Sequence, residues 1–253
     1  MDNVESLRRG LQILEVIADR QPVGVTELAK RIELPKSTVQ RLLMTLAQAG
    51  WIEKSKGDLT RWQLGRQRLV APKATSAEVQ LREMARPHIV ALCSATNETV
   101  HLAVRDGINP LVLIDRADCD QVVRTWRPLG TISPLHSASA GLAVLANCVP
   151  TEIDEVISRG LEQYTPDTIT DPDQLRAELE RIRQYRYSVS VCGNRAHVCG
   201  VGAAIFDRCG MPMAGISISM PDFRFDQSRL SAWGKLVRDT AAQITADMAE
   251  VVE

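Results

Sequence analysis

The sequence predicts an α+β chain of two domains: an N-terminal winged helix-turn-helix and a larger domain in which helices flank an antiparallel sheet. Residues 25–50 read as two short helices joined by a tight turn, and residues 51–64 as a β-hairpin. From residue 99 onward the chain alternates like strands and ends on helical periodicity. Charge divides the chain in the same way. Residues 1–73 hold 13 Lys/Arg against 8 Asp/Glu, a surplus of 5, while residues 74–253 hold 17 against 23, a deficit of 6, which returns the chain's −1. A basic module fused to an acidic one is the electrostatic footprint of a phosphate-neutralising domain joined to one with another task.

Taken in order, Leu7, Leu11, Leu14 and Ile17 or Ala18 supply the apolar side of a first helix, with Arg8 and Arg9 near its start and within reach of a phosphate. Leu28, Ile32 and Leu34 line the next helix, which Pro35 breaks, because the residue before a proline is pushed out of the helical region. Val39, Leu42, Leu43 and Leu46 fall at i, i+3, i+4 and i+7, one buried stripe, and Gly50 closes that helix as a left-handed cap. The opposite face offers Lys36, Ser37, Thr38, Gln40, Arg41 and Thr45 with no acidic residue. Such a face can approach phosphates and donate to base edges; the plain alternative is a solvated helical hairpin. The hairpin that follows turns through Ser55, Lys56, Gly57, Asp58 and Leu59, with Lys56 at the tip and Arg61 on the returning strand as its cations. A basic hairpin directly after a helix-turn-helix is a wing, gripping the backbone while the second helix enters the major groove.

Residues 71–76 have linker composition. A connector helix over 77–85 is expected to end at Arg86, with Pro87 opening another helix to about Thr96. Residues 99–105, 111–114 and 122–126 read as strands, the first two separated by the turn signal Asp106-Gly107. Helices follow near 137–146 and 152–158, and one is signalled by Asp171 as cap, Pro172 as first helical residue and the stripe Leu175, Leu179, Ile182. Strands at 201–206 and 213–219 flank a turn at 207–210, and an amphipathic helix from about Ser228 ends the chain. The domain boundaries expected from this order are 1–73 for a DNA-binding domain, 74–86 for a linker helix and 87–253 for the larger domain.

No apolar run approaches bilayer length and the polar start is no signal peptide, so the expectation is a cytoplasmic protein with its six cysteines free. Cys192, His197 and Cys199 are close in sequence, but their spacing matches no zinc signature, so no metal and no cofactor is expected. His136, Ser137 and Ser139 suggest an enzymatic alternative, a small-molecule hydrolase with an appended DNA-binding domain. The first glycine of a nucleophile elbow is missing, as are a phosphate-binding glycine loop and H-E-x-x-H.

The order of elements resembles the IclR (isocitrate lyase regulator) family of bacterial transcription factors. The phrases that carry the likeness are residues 34–43 (LPKSTVQRLL), 85–88 (ARPH), 98–104 (ETVHLAV), 134–137 (PLHS), 164–170 (YTPDTIT) and 216–219 (ISIS). The resemblance implies a winged helix joined by a linker helix to a GAF-like domain, which assigns 87–253 to effector binding and to oligomerisation as a homodimer or homotetramer, with operator DNA and a small organic acid as partners. It further implies that Ser217 and Ser219 line the ligand pocket, and that Ser190 and Gly200 stand where glyoxylate-responsive relatives carry an aspartate and a cysteine. Those departures suggest a roomier, less acidic site for a larger acid, branched or aromatic. Strand alternation puts the hydroxyls of Ser217 and Ser219 on one face, and the free N–H groups of Ser139 and Ala140 at a helix start suit a carboxylate.

Overall fold

Three helices and a small sheet make the N-terminal unit. The computed structural model describes residues 4–55, 60–64, 76–105 and 107–250, and the chain divides into units 1–74 and 75–253. Helix α1 (Glu5–Arg20) buries Gly10, Ile13 and Ile17, while Leu7 and Leu11 stay exposed, which corrects the expected stripe. The helix offers two adjacent apolar rows, and a three-helix core covers only one; the β-branched row is the one that packs, against Leu28, Val39, Leu43 and Trp62. Helix α2 (Val25–Arg31) and helix α3 (Lys36–Gln48) follow as expected, flanking Pro35. Strand β1 (Val23–Gly24) went unrecognised because two residues carry no periodicity. It pairs with β3 (Arg61–Leu64), which in turn pairs with β2 (Ile52–Lys54).

The second unit is a six-stranded antiparallel sheet between two helical layers. Helix α4 (Ser76–Thr96) runs unbroken through Pro87, so the two helices expected there are one. A proline removes the single bond its N–H would give to the carbonyl four residues back, but Leu81, Ala85, Ile89 and Leu92 continue one buried row across it, and that burial outweighs the loss. Strands β4 (Thr99–Val104), β5 (Leu111–Ala117), β6 (Ile132–Ser133), β7 (Ser188–Val191), β8 (Val198–Phe206) and β9 (Pro212–Pro221) stand in the order β6-β5-β4-β9-β8-β7. The strand expected at 122–126 is absent; this stretch is an irregular strap with Val122 and Trp126 exposed, and β6 takes the place beside β5. One sheet face carries Leu102, Val201, Ile216 and Ile218 against α4 and the last helix, α8 (Leu230–Glu250). The other lies under α5 (Ser139–Ala146), α6 (Pro150–Ser158) and α7 (Pro172–Tyr185), the last capped by the Asp171 side chain accepting from the Gln174 N–H.

Every residue of α5 is buried. The helix sits this close because the strands beneath it lack side chains: a Cβ on Gly202 would lie 2.7 Å from the Ser139 carbonyl, and one on Gly215 would lie 2.9 Å from the Ala140 oxygen. Those glycines fix where the N-terminus of α5 meets the sheet.

Candidate functional site

Helix α3 presents its polar face as the spacing requires. Lys36, Ser37, Gln40, Arg41 and Thr45 are exposed and Thr38 is half-buried, with Val39 and Leu43 fully inside. The helix ends sharply because Gly50 adopts φ +76°, which brings the Trp51 N–H to the Leu46 carbonyl at 2.9 Å and the Gly50 N–H to the Ala47 carbonyl at 2.9 Å. Two candidate contacts are already engaged: the Thr45 hydroxyl donates to the Arg41 carbonyl at 3.1 Å, and the Arg61 guanidinium donates to the Pro22 carbonyl at 2.9 Å. Arg8 and Arg9 are engaged as well, both on Glu5, whose carboxyl the Arg8 and Arg9 hydrogen bonds hold down to about 2. Lys56 lies outside the described residues.

In the second unit a cavity of about 60 Å³ opens between the sheet and the start of α5. The walls include all six candidate residues, Ser139, Ala140, Ser190, Gly200, Ser217 and Ser219. Register explains the gathering. Ser217 faces His101 across β4 and β9, Gly200 faces Ser219 across β8 and β9, and Ser190 faces Gly200 across β7 and β8. Ser217 and Ser219 turn to this side while Ile216 and Ile218 fill the core opposite. Two of the six differ from expectation in what they do. The Ser190 hydroxyl is already donating to the Ser137 carbonyl at 2.6 Å. Gly200 does not enlarge the site, because a Cβ there would meet the Ser139 hydroxyl at 2.5 Å; the missing side chain admits Ser139 instead.

His101, Thr125, Arg127, Ser133, Asn194 and Arg195 complete the polar wall and were missed by sequence reasoning. Thr125 and Arg127 lie on the irregular strap, which no periodicity marks; the Thr125 hydroxyl pins it by donating to the Ser219 carbonyl at 3.0 Å. Arg127 is held by the Ser133 hydroxyl at 3.2 Å and the Ile132 carbonyl at 3.1 Å. Burial lowers its pKa, and the charge of Arg195 lowers it further. His101 is fully buried, and desolvation, reinforced by Arg127 and Arg116, brings its pKa down to about 4, so the ring is neutral at pH 7. Its Nε2 has no hydrogen-bond partner among the described residues. Among the described residues no carboxylate lines the cavity. Two guanidinium groups, the neutral His101 ring and two strand hydroxyls line this small cavity, a combination suited to an anion.

A family model described as the bacterial transcriptional regulator IclR C-terminal matches residues 73–246, and one described as the IclR helix-turn-helix domain matches residues 6–56. The chain belongs to the IclR family of bacterial transcriptional regulators. The transcriptional repressor IclR of Escherichia coli (strain K12) is 33% identical over 248 residues, covering 96% of this chain and 89% of that one. The IclR structure from Thermotoga maritima shares the fold at TM-score 0.74 and 28% identity, covering 98% of this chain and 100% of the other. An IclR homologue from Microbacterium hydrocarbonoxydans, complexed with 4-hydroxybenzoate, matches at TM-score 0.77 and 25% identity with the same coverage.

The protein is therefore a transcriptional regulator with a DNA-binding helix-turn-helix domain and the family's C-terminal domain, and the hydrolase alternative has no support from its relatives. The would-be catalytic group is structural: His136 Nε2 bonds the Glu162 carbonyl at 2.9 Å and the Ser137 hydroxyl donates to Asn194 at 3.3 Å. Cys192, His197 and Cys199 do not come together as a metal set. His197 turns out to Asp222 at 2.8 Å, and no group of three ligating side chains forms among the described residues. Among those residues, too, no helix is long and apolar enough to cross a membrane.

Proposed function

We propose that the regulator reads a pseudo-palindromic operator with α3 of at least two copies, and that a small carboxylate in the α5 cavity sets its operator affinity. Lys36, Ser37, Thr38, Gln40, Arg41 and Thr45 form the groove-facing surface, with Lys56 and Arg61 on the wing. A single winged helix reads few base pairs, so specificity requires two half-sites about one helical turn apart or a multiple of it. The exposed apolar row of Val4, just before α1, with Leu7 and Leu11 on it gives the N-terminal unit an apolar surface for a second copy, as a homodimer or within a homotetramer. Cytoplasmic DNA is the target this chemistry suits.

The observation that carries the ligand reading is the unpartnered Nε2 of neutral His101, set beside Ser217, Ser219 and two arginines in a wall without carboxylates. At roughly 10–15 Å³ per water-sized centre, a cavity of about 60 Å³ suits an acid of some four to six heavy atoms. The 4-hydroxybenzoate of the Microbacterium homologue exceeds that size, so an acid of its class would need a wider cavity than the one seen here. Thermal-shift measurements on the full chain with glyoxylate, pyruvate and 4-hydroxybenzoate separate these classes, and a gel-shift with the binder gives the sign of regulation. The Ser217→Ala/Ser219→Ala double variant loses donors worth about 1.5–3 kcal/mol each to a charged acceptor, so affinity falls more than tenfold. Equal affinity in the double variant removes the serines from the site.

A further inference from the structure

The cysteine-bearing hairpin between β7 and β8 carries Asn194 and Arg195 into the cavity wall, and Cys199 at the start of β8 lines it as well. Its base is held at several points: Thr165 and Thr168 donate to the carbonyls of Cys192 and Gly193 at 2.8 and 2.6 Å, and the Cys192 N–H donates to the Val198 carbonyl at 3.1 Å. Cys199 pairs with Val191, and Cys192 is the next residue, so ladder spacing and rise put the two Cα atoms roughly 6 Å apart, inside the range a disulfide spans. In a regular strand, neighbours point to opposite faces. Here Cys192 takes φ +55°, and this left-handed turn swings its side chain onto the α8 side, where it packs on the same buried cluster as Cys199. Cys192 is half-buried and reachable, whereas Cys199 is 1% exposed. Burial pushes the Cys199 thiol up to about 11, which leaves Cys192 as the group that meets a reagent first.

We propose that Cys192 and Cys199 form a peroxide-responsive dithiol whose disulfide braces the hairpin that carries Asn194 and Arg195. The Cys192 thiolate attacks one oxygen of a hydroperoxide, breaking the O–O bond and releasing alcohol, or water from hydrogen peroxide; its sulfur becomes a sulfenic acid. The Cys199 sulfur then attacks that sulfur and displaces water, so both thiol hydrogens leave and the peroxide is reduced by two electrons. Resting on the carboxylate reading, a braced Arg195 is preorganised, and the oxidised protein binds its acid severalfold more tightly.

The test uses the full chain and hydrogen peroxide alone. Trypsin cuts after Arg195, so the disulfide joins the peptides 187–195 and 196–208 into one species that a reductant separates. The joined species should form in the wild type and in Cys209→Ser, and be lost in Cys192→Ser and Cys192→Ala. Peroxide treatment that leaves both thiols free, drives Cys192 to a sulfinic acid without the joined species, or couples Cys192 to Cys209 overturns the proposal. None of these readouts depends on a ligand, so failure here and failure of the carboxylate reading are distinguishable. Unchanged acid affinity in fully oxidised protein would remove the link to the cavity.

Discussion

His101 ties the cavity to stability through pH. Its folded-state pKa is about 4, against about 6.5 for an exposed histidine. The unfolded chain therefore takes up a proton below about pH 6.5, while the folded chain does so only near 4. Stability is complete above 6.5, declines as pH falls through this window and levels off below it. The 2.5-unit interval corresponds to roughly 3 kcal/mol, a sizeable fraction of an ordinary domain's stability. His101→Asn keeps a polar group and does not titrate. Urea unfolding of both proteins between pH 7.5 and 4.5 separates this group from the carboxylates, which contribute equally to each. The wild type should lose about 2–3 kcal/mol more than the variant over that range. Parallel pH profiles would refute the reasoning, showing that the ring is solvated or charge-compensated in the folded protein.

Replacing Gln40 or Arg41 with alanine should cost roughly 1–3 kcal/mol on the operator and leave random DNA nearly unaffected, as read by fluorescence anisotropy; equal losses on both would make them phosphate contacts. Gly202→Ala places a methyl group 2.7 Å from the Ser139 carbonyl, so α5 must lift. Thermal unfolding should report a loss of about 1–3 kcal/mol, and acid binding should weaken with it. Gly50→Ala meets no atom but must hold φ +76°, so its cost should be about 1 kcal/mol, confined to the N-terminal unit and absent from acid-binding calorimetry.

The legible parts of the fold were those where a residue's chemistry acts locally. Asp171 and Pro172 open α7, Pro35 separates α2 from α3, and Gly50 ends α3, because caps, missing donors and left-handed turns work within a few residues. What periodicity missed is set by tertiary contact. The row of α1 that packs is chosen by its partners, Pro87 is carried through α4 by burial on both sides, and β1 and β6 are too short to repeat. The candidate cavity divides in the same way. The serines of β9 alternate with isoleucines and announce a polar face, and the family likeness points to Ser190 and Gly200. Arg127 and Thr125 sit on an irregular strap whose apolar residues imitate a strand, and His101 hides in a strand buried along its whole length. The signal that could have located the cavity is the glycine spacing: Gly200, Gly202 and Gly215 in adjacent strands mark a close approach of another backbone, which turns out to be α5.

The cavity lies beside that close approach, at the N-terminus of α5. Beneath α5 the glycine positions are filled by Ser139 and Ala140 of the helix itself, and beside its N-terminus the nearest residues on β4 and β9 are the polar His101, Ser217 and Ser219. Under the proposed reading, a carboxylate held by His101 and the serines at a hundredfold excess over Kd adds about 2.7 kcal/mol to the folded state. On the proposed reading, ligand occupancy and the position of α5 belong to one equilibrium. A ligand shifts an equilibrium only by its differential affinity for the two states, so an acid that regulates must bind one arrangement of α5 and its strap better than another. In the proposed reading the polar wall supplies that difference, because its bonds to an acid form only while Ser139, Thr125 and Arg127 stand around it; an apolar filling of the same volume would stabilise the unit without making it responsive.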